Sequence, residues 1–146
     1  MVSLSKFAEN LKYLIEDSEI THKELSEGTG IDGASITRYL KGNCEPTVKA
    51  IVALADYFNC SVDFLLGLTD EKALTGFLPC PPIEERINYY YNLSGLSGYE
   101  LCKKAHLPDS RFYHWLDGSH KPSISSIENF ANYSKCTLDE FLGRVK

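Results

Sequence analysis

The stretch GIDGASITRYLKGNCEP, Gly30 to Pro46, carries the pattern on which the fold turns. Gly30 can take the positive φ that ends one helix. Asp32 suits the N-cap of the next, because its carboxylate accepts from the first unpaired backbone N–H groups. Ile36 and Leu40 fall four apart and share one face. Gly42 closes the helix, and Pro46 prevents its continuation. The other face begins with Gly33 and Ala34, which have almost nothing with which to read a ligand. It continues with Thr37 and Arg38.

The same reasoning extends in both directions. Upstream, Leu4, Phe7, Leu11 and Leu14 recur at helical spacing. Thr21, with Glu24 three residues on, forms a capping box, and Leu25 then faces the core. Downstream, Thr47 caps a fourth helix whose Ile51, Leu54 and Ala55 point inward. Ser61 caps a fifth, with Asp63 in its first turn and Leu65 and Leu66 packing. No alternating β-branched run competes for a strand. The prediction is all-α, with five short helices.

The chain then repeats itself. Lys23–Gly67 lies over Tyr99–Gly143 at a shift of 76 without a gap, with twelve identities in forty-five columns. Gly42/Gly118, Pro46/Pro122, Ile51/Ile127, Ala55/Ala131, Asp63/Asp139 and Gly67/Gly143 are among them, so breakers and apolar columns stay in register together. Duplication of one domain explains this, and the period is too long for a solenoid repeat. In the second copy Ile83 and Ile87 replace the first apolar stripe, and Ser97, Leu101, Leu107, Phe112, Leu116, Ile127 and Phe141 follow in step. Pro79, Pro81 and Pro82 would stop a helix between the copies. The expected domains are 1–68 and 82–146, joined by a linker at 69–81.

Bulk properties limit the function. Of 146 residues, 43% are hydrophobic and 24% charged, a globular composition. No apolar run nears the ~20 residues of a membrane span, and the N-terminus lacks a signal-peptide core. No membrane partner is expected, and the expected location is cytoplasmic. Five cysteines, with no C-x-x-C pair and no His at zinc spacing, read as reduced thiols. Metal-ligand spacing, phosphate-cradling glycine motifs and paired catalytic carboxylates are missing, so no metal, cofactor or enzymatic site is expected. Ser110 and His114 lie four apart on one helix, but a domain this small leaves little room for the pocket that catalysis needs. The net charge of −5 lies wholly in the first half, where six Lys+Arg face eleven Asp+Glu up to Asp70, against nine and nine beyond. Such a balance predicts weak non-specific binding to nucleic acid.

THKELSEGTGIDGASITRYLKGNCEPTVKAIVALADYFNCSVDFLLG resembles the Cro/phage-repressor-like helix-turn-helix family, also called the xenobiotic-response-element family of bacterial regulators. The resemblance rests on T-x-K-E-L, the small Ser26, the Gly30 turn, Ile31 and Ile36, the Gly42…Pro46 spacing and the SVDFLLG close. It implies two tandem five-helix helix-turn-helix domains, the second diverged, in a bacterial or phage transcriptional regulator. Double-stranded DNA is the implied partner, with the third helix in the major groove. Relatives usually bind palindromes as dimers, so a homodimer is one expectation. A single chain covering two unlike half-sites is the other.

Carried over residue by residue, the resemblance places DNA contacts at Thr21, His22, Gly33, Ala34, Ser35, Thr37, Arg38 and Asn43. His22 and Ser35 fall at phosphate-contacting positions. Arg38 is the strong base reader, since a guanidinium matches guanine O6 and N7. Gly33 and Ala34 allow close backbone approach, and Ala34 can meet a thymine methyl. The loop Asn43, Cys44, Glu45 departs from the basic loop of relatives. The bland alternatives are an exposed cap neighbour for His22 and a solvated surface charge for Arg38.

The second copy departs further. His106 replaces glycine at the turn, and Pro108 starts the helix. Ser110, Arg111, Tyr113, His114 and Lys121 form a second DNA-binding set in one reading, with Tyr113 and Trp115 as aromatic surface. In the other reading this copy is a protein-interaction module, such as an antirepressor or an adaptor. Tyr89, Tyr90 and Tyr91 are expected to send at least one ring into the core, as Leu14 does in the first copy. The face around Phe77, Leu78 and these tyrosines either packs the copies together or joins two chains.

Overall fold

The computed structural model describes residues 3–70 and 77–145, which form two compact units, one on each side of residues 71–76. Residues 71–76 of the expected linker, like the chain ends 1–2 and 146, lie outside the described residues. The described residues are all-α. The first unit holds α1 (Leu4–Asp17), α2 (His22–Thr29), α3 (Gly33–Leu40), α4 (Val48–Phe58) and α5 (Val62–Leu65). The second holds α6 (Ile83–Ser94), α7 (Gly98–Ala105), α8 (Asp109–Leu116), α9 (Ile124–Tyr133) and α10 (Leu138–Phe141). None of these helices is long and apolar enough to cross a membrane.

Local chemistry places the helix ends. Thr21, Asp32, Thr47 and Ser61 each accept a backbone N–H three residues on, and Thr21 with Glu24 makes a full capping box. Ser97, Ser123 and Thr137 do the same in the second unit. Pro108 starts α8 without a side-chain cap bond. The apolar stripes then meet: Phe7, Leu11, Leu14, Leu25, Ile36, Ile51, Leu54 and Leu65 are fully buried in the first unit. Each such side chain contributes about 1.5–3 kcal/mol.

One expectation needs correction. Leu40 and Leu116 are only half-buried, while Tyr39 and Trp115, one residue earlier, are buried. Tyr39 packs on Phe7 of α1 with ring centroids 5.6 Å apart. Trp115 packs on Phe112 at 6.1 Å, so it is core and not aromatic surface. The larger ring buries more area against the neighbouring helix than leucine would. The three tyrosines of α6 divide as expected. Tyr90 stacks on Phe141 at 4.5 Å and Tyr91 meets Phe112 at 5.2 Å, whereas Tyr89 is exposed. Burial, aided by a hydrogen bond to Cys136, pushes the Tyr90 hydroxyl up to about 12.

The backbone repeats with the sequence. Among the described residues, ten have positive φ, and they form five pairs at a spacing of 76: Glu19/Gly95, Gly30/His106, Gly42/Gly118, Asn59/Lys135 and Gly67/Gly143. A side-chain clamp repeats as well. Asn10 Nδ2 of α1 donates to the Phe64 carbonyl at 2.9 Å, and Arg86 Nη2 of α6 donates to the aligned Glu140 carbonyl at 2.9 Å.

The second unit takes in part of the segment expected as linker. Leu78 N–H donates to the Arg144 carbonyl at 2.6 Å, and Cys80 Sγ lies 3.3 Å from the Leu142 carbonyl. Arg144 is fully buried, pairs with Asp139, and lies 4.4 Å from the centre of the Phe77 ring.

Candidate nucleic-acid interface

The first unit builds its helix-turn-helix from short-range bonds. Gly30 ends α2 at φ 77°, and its N–H donates to the Ser26 carbonyl. Ser26 Oγ donates across the turn to the Ile31 carbonyl at 2.5 Å, while Thr29 Oγ1 donates to the Leu25 carbonyl and accepts from Ile31 N–H. These bonds leave little freedom between the two helices. Gly28 lets α2 lie against the Tyr57 ring of α4, where a Cβ would collide. Ile36 and Tyr39 anchor α3 inward. The opposite face of α3 is left to solvent.

That face carries the expected readers. Gly33, Ala34, Thr37 and Arg38 are exposed, and Ser35 is partly so. A Cβ at Gly33 would meet nothing within 4 Å, so the helix start stands clear of other groups. Thr37 Oγ1 donates to the Gly33 carbonyl at 3.0 Å, which turns the hydroxyl onto its own helix. Arg38 Nη2 donates to Ser35 Oγ at 3.1 Å. Asp32 accepts from Ser35 N–H at 2.7 Å. The Ser35 hydroxyl, its backbone N–H and, more weakly, the Arg38 charge hold the Asp32 carboxyl below its ordinary value. Asp32, Ser35 and Arg38 thus form one connected group, which sequence spacing alone did not reveal.

The remaining positions are more scattered. Thr21 is exposed, but its hydroxyl caps α2 by accepting from Glu24 N–H at 3.1 Å. His22 is exposed at the first position of α2 and borders a shallow groove of about 270 Å³ with Lys12, Ile15, Glu16 and Leu40. Asn43 is exposed after α3, and its N–H donates to the Arg38 carbonyl. Lys41, the C-cap of α3, is an exposed cation one turn beyond Arg38. Its place just past the last apolar residue of the helix was the available signal.

The second unit presents a different set of outward residues at the positions that the sequence repeat aligns. His106 supplies the turn at φ 60°, ψ 48°. Ser110 and Arg111 are exposed on α8. Tyr113 is also exposed, yet its hydroxyl lies against Gly98, the first residue of α7, where a Cβ would collide with it. Burial and a hydrogen bond with Tyr113 push the Tyr91 hydroxyl up. Tyr113 therefore leans back over the start of α7. His114 Nδ1 lies 3.2 Å from Ser119 Oγ, and its ring meets His120 at 4.9 Å. Lys121 Nζ pairs with Glu84 Oε2 at 3.3 Å. No group of three or more His, Cys, Asp or Glu that could hold a metal occurs among the described residues.

Comparison with known proteins agrees with the first unit's geometry. Residues 10–71 match the Cro/C1-type HTH DNA-binding domain, a span that includes α2 and α3. The chain is 32% identical over 84 residues to the uncharacterized HTH-type transcriptional regulator YobD of Bacillus subtilis (strain 168), covering 53% of this chain and 75% of that protein. It is 31% identical over 67 residues to the uncharacterized HTH-type transcriptional regulator YqaE of the same organism, covering 45% of this chain and 58% of that one. It is 27% identical over 79 residues to the HTH-type transcriptional regulator DicA of Escherichia coli (strain K12), covering 54% and 55% respectively. No solved structure matches the chain significantly. With a capped second helix, a glycine turn and an outward third helix in the matched span, the chain belongs to the Cro/C1-type helix-turn-helix DNA-binding family.

Proposed function

We propose that this protein is a DNA-binding transcriptional regulator whose first unit reads double-stranded DNA with α3 in the major groove. The observation that carries this reading is the outward face of α3. Its first turn is nearly bare, and its one long cationic side chain, Arg38, is turned toward that turn. A bare first turn lets the backbone approach the groove floor, and an arginine fits guanine O6 and N7. Gly33, Ala34, Thr37 and Arg38 face the bases in this reading. Thr21, His22 and Asn43 lie at the phosphates, with Lys41 beside them.

The second unit is a diverged copy of the same domain. The support is the backbone: four of its five helices begin 76 residues after their counterparts, and the positive-φ positions repeat at that spacing. Its surface favours a protein partner over a second duplex contact. Tyr113 covers Gly98, which stands where His22 stands in the first unit, and Lys121 is paired with Glu84. Leu93 and Tyr99 are about two-thirds exposed, and Tyr113 is 59% exposed. Ser110, Arg111 and His114 remain the residues through which this unit would touch DNA. A homodimer formed through the same surface is the simplest form of the protein-binding reading.

Selection from a randomised duplex library at low salt, followed by sequencing, tests the proposal. An enriched motif that is lost in Arg38→Ala supports α3 as the reader. Affinity for that motif should fall with salt on a log–log plot at roughly −0.9 per phosphate neutralised. Failure of the folded protein to enrich any motif would reject the regulator reading.

A further inference from the structure

Ser35 stands where a phosphate-contacting hydroxyl was expected, yet its bonds run along its own helix. We propose that Ser35 is a positioning residue that holds Arg38 toward the first turn of α3, and that this hold sets how sharply the helix discriminates at the base Arg38 meets. The proposal rests on the reading of α3 as the DNA-contacting helix.

The geometry forms a short chain of bonds. Asp32, the N-cap, takes Ser35 N–H at 2.7 Å. Ser35, through its hydroxyl and its N–H, favours the ionised form of the Asp32 carboxylate. The same hydroxyl oxygen accepts from Arg38 Nη2 at 3.1 Å. One end of the chain is thereby fixed to the helix start, and the other holds the guanidinium. Gly33 meets open space and Ala34 ends in a methyl, so neither competes with Arg38 for room on that turn. One of five guanidinium N–H donors is engaged, which leaves the rest for a base edge. An arginine held in this way loses less rotamer freedom on binding than one free in solvent. The second unit has Pro108, Arg111 and His114 at the three aligned positions and cannot form this chain.

The test uses the motif selected by the full-length protein. Parent, Arg38→Ala, Ser35→Ala and Ser35→Thr are titrated against the matched duplex, against duplexes changed at each motif position, and against unrelated DNA. Ser35→Ala keeps the backbone N–H that Asp32 caps, so its melting temperature should stay within a few degrees of the parent's. The position whose preference Arg38→Ala erases identifies the Arg38 base. Ser35→Ala should lower discrimination at that position alone, by roughly 2- to 10-fold, the scale of ordering one long side chain. Ser35→Thr, which keeps the hydroxyl, should retain the parent's discrimination. A uniform loss on all duplexes with discrimination intact would make Ser35 a phosphate ligand and overturn the proposal. Unchanged discrimination in Ser35→Ala would also overturn it, while Arg38→Ala still erased its base. If Arg38→Ala erased no preference, the α3 reading itself would fall, and the proposal with it.

Discussion

Thr37 and Tyr113 occupy the same place on two aligned helices, yet they face different tasks. Thr37 bonds its own helix and leaves the middle of α3 clear beside Arg38. Tyr113 reaches across to α7 and lies on Gly98. The backbones around them match, with turns at Gly30 and His106 and helix starts at Gly33 and Asp109. Matching turns and helix starts can therefore carry an outward face that stays clear or one folded back onto its own unit. Function resides in the few outward side chains and not in the frame.

The same contrast appears at the unit ends, where the largest effect is expected. Asp139 pairs with buried Arg144, while leucine, Leu68, stands at the position aligned with Arg144. Asp139→Ala should destabilise the second unit by about 3–5 kcal/mol, because it strands a buried charge. The aligned Asp63→Ala should cost no more than about 1 kcal/mol, the worth of an acidic side chain in the first turn of a helix. Urea denaturation of both variants checks the difference, and equal losses would mean that the ion pair is not the distinguishing feature.

Binding comes next. Arg38→Ala should weaken affinity for the selected duplex by about 1–3 kcal/mol, the worth of one bidentate base contact. The aligned His114→Ala should leave it within about 0.5 kcal/mol, as expected of a surface change outside the interface. Fluorescence anisotropy on the two variants measures this directly. A larger loss from His114→Ala would give the second unit the reading role.

Gly98 offers a way to break the Tyr113 contact. Gly98→Ala forces the tyrosine off α7 and should cost about 1–3 kcal/mol of stability in the second unit. His22→Ala, at the aligned position, should change stability by less than about 0.5 kcal/mol, since His22 is exposed. Thermal melting compares them, and near-ultraviolet circular dichroism should report the displaced ring.

The turns differ by a smaller amount. His106 holds a left-handed backbone that glycine adopts without strain. His106→Gly should stabilise by about 0.5–1 kcal/mol, and Gly30→Ala should destabilise by about 1–2 kcal/mol. Chemical denaturation checks both, and a compensating contact of the His106 side chain would shrink or reverse the gain from His106→Gly.

The smallest contrast is with acid. The Asp32 carboxyl lies below its ordinary value of 3.8, chiefly through the Ser35 hydroxyl and N–H. A depressed carboxyl stabilises the fold above its unfolded pKa, and that support is lost as pH falls from 3.8 through the lower folded value. Pro108 offers no carboxylate to accept the N–H three residues on, so Arg111 lacks the cap bond that Ser35 has. The protection of the Ser35 amide, taken against its intrinsic exchange rate at each pH, should therefore fall below pH 3.8, while that of Arg111, the aligned residue, whose N–H donates to the Pro108 carbonyl, should show no step through a cap carboxylate.

Much of the fold was legible from local pattern. Thr21, Asp32, Thr47, Ser61 and Ser97 cap helices because a hydroxyl or carboxylate reaches an N–H three residues away whatever the rest of the chain does. Gly30 and His106 mark the turns for similarly local reasons. The choice of Tyr39 over Leu40 and of Trp115 over Leu116 was not legible, since both candidates lie at the same helix edge and only the opposing helix decides between them. The partnership of Ser35 with Arg38 was also missed. Their spacing permits the bond, but it equally permits an arginine in solvent.

By itself the sequence determined an all-α chain, its helix starts, its turns, the register of its repeat and the outward placement of Gly33, Ala34, Thr37 and Arg38. These follow from backbone hydrogen bonds and φ preferences that act within about four residues. Tertiary structure alone decided that Arg144 is buried against Asp139 and Phe77, and that Tyr113 lies on Gly98. Each of those outcomes depends on which surface arrives opposite the side chain, and packing sets that only when the helices meet.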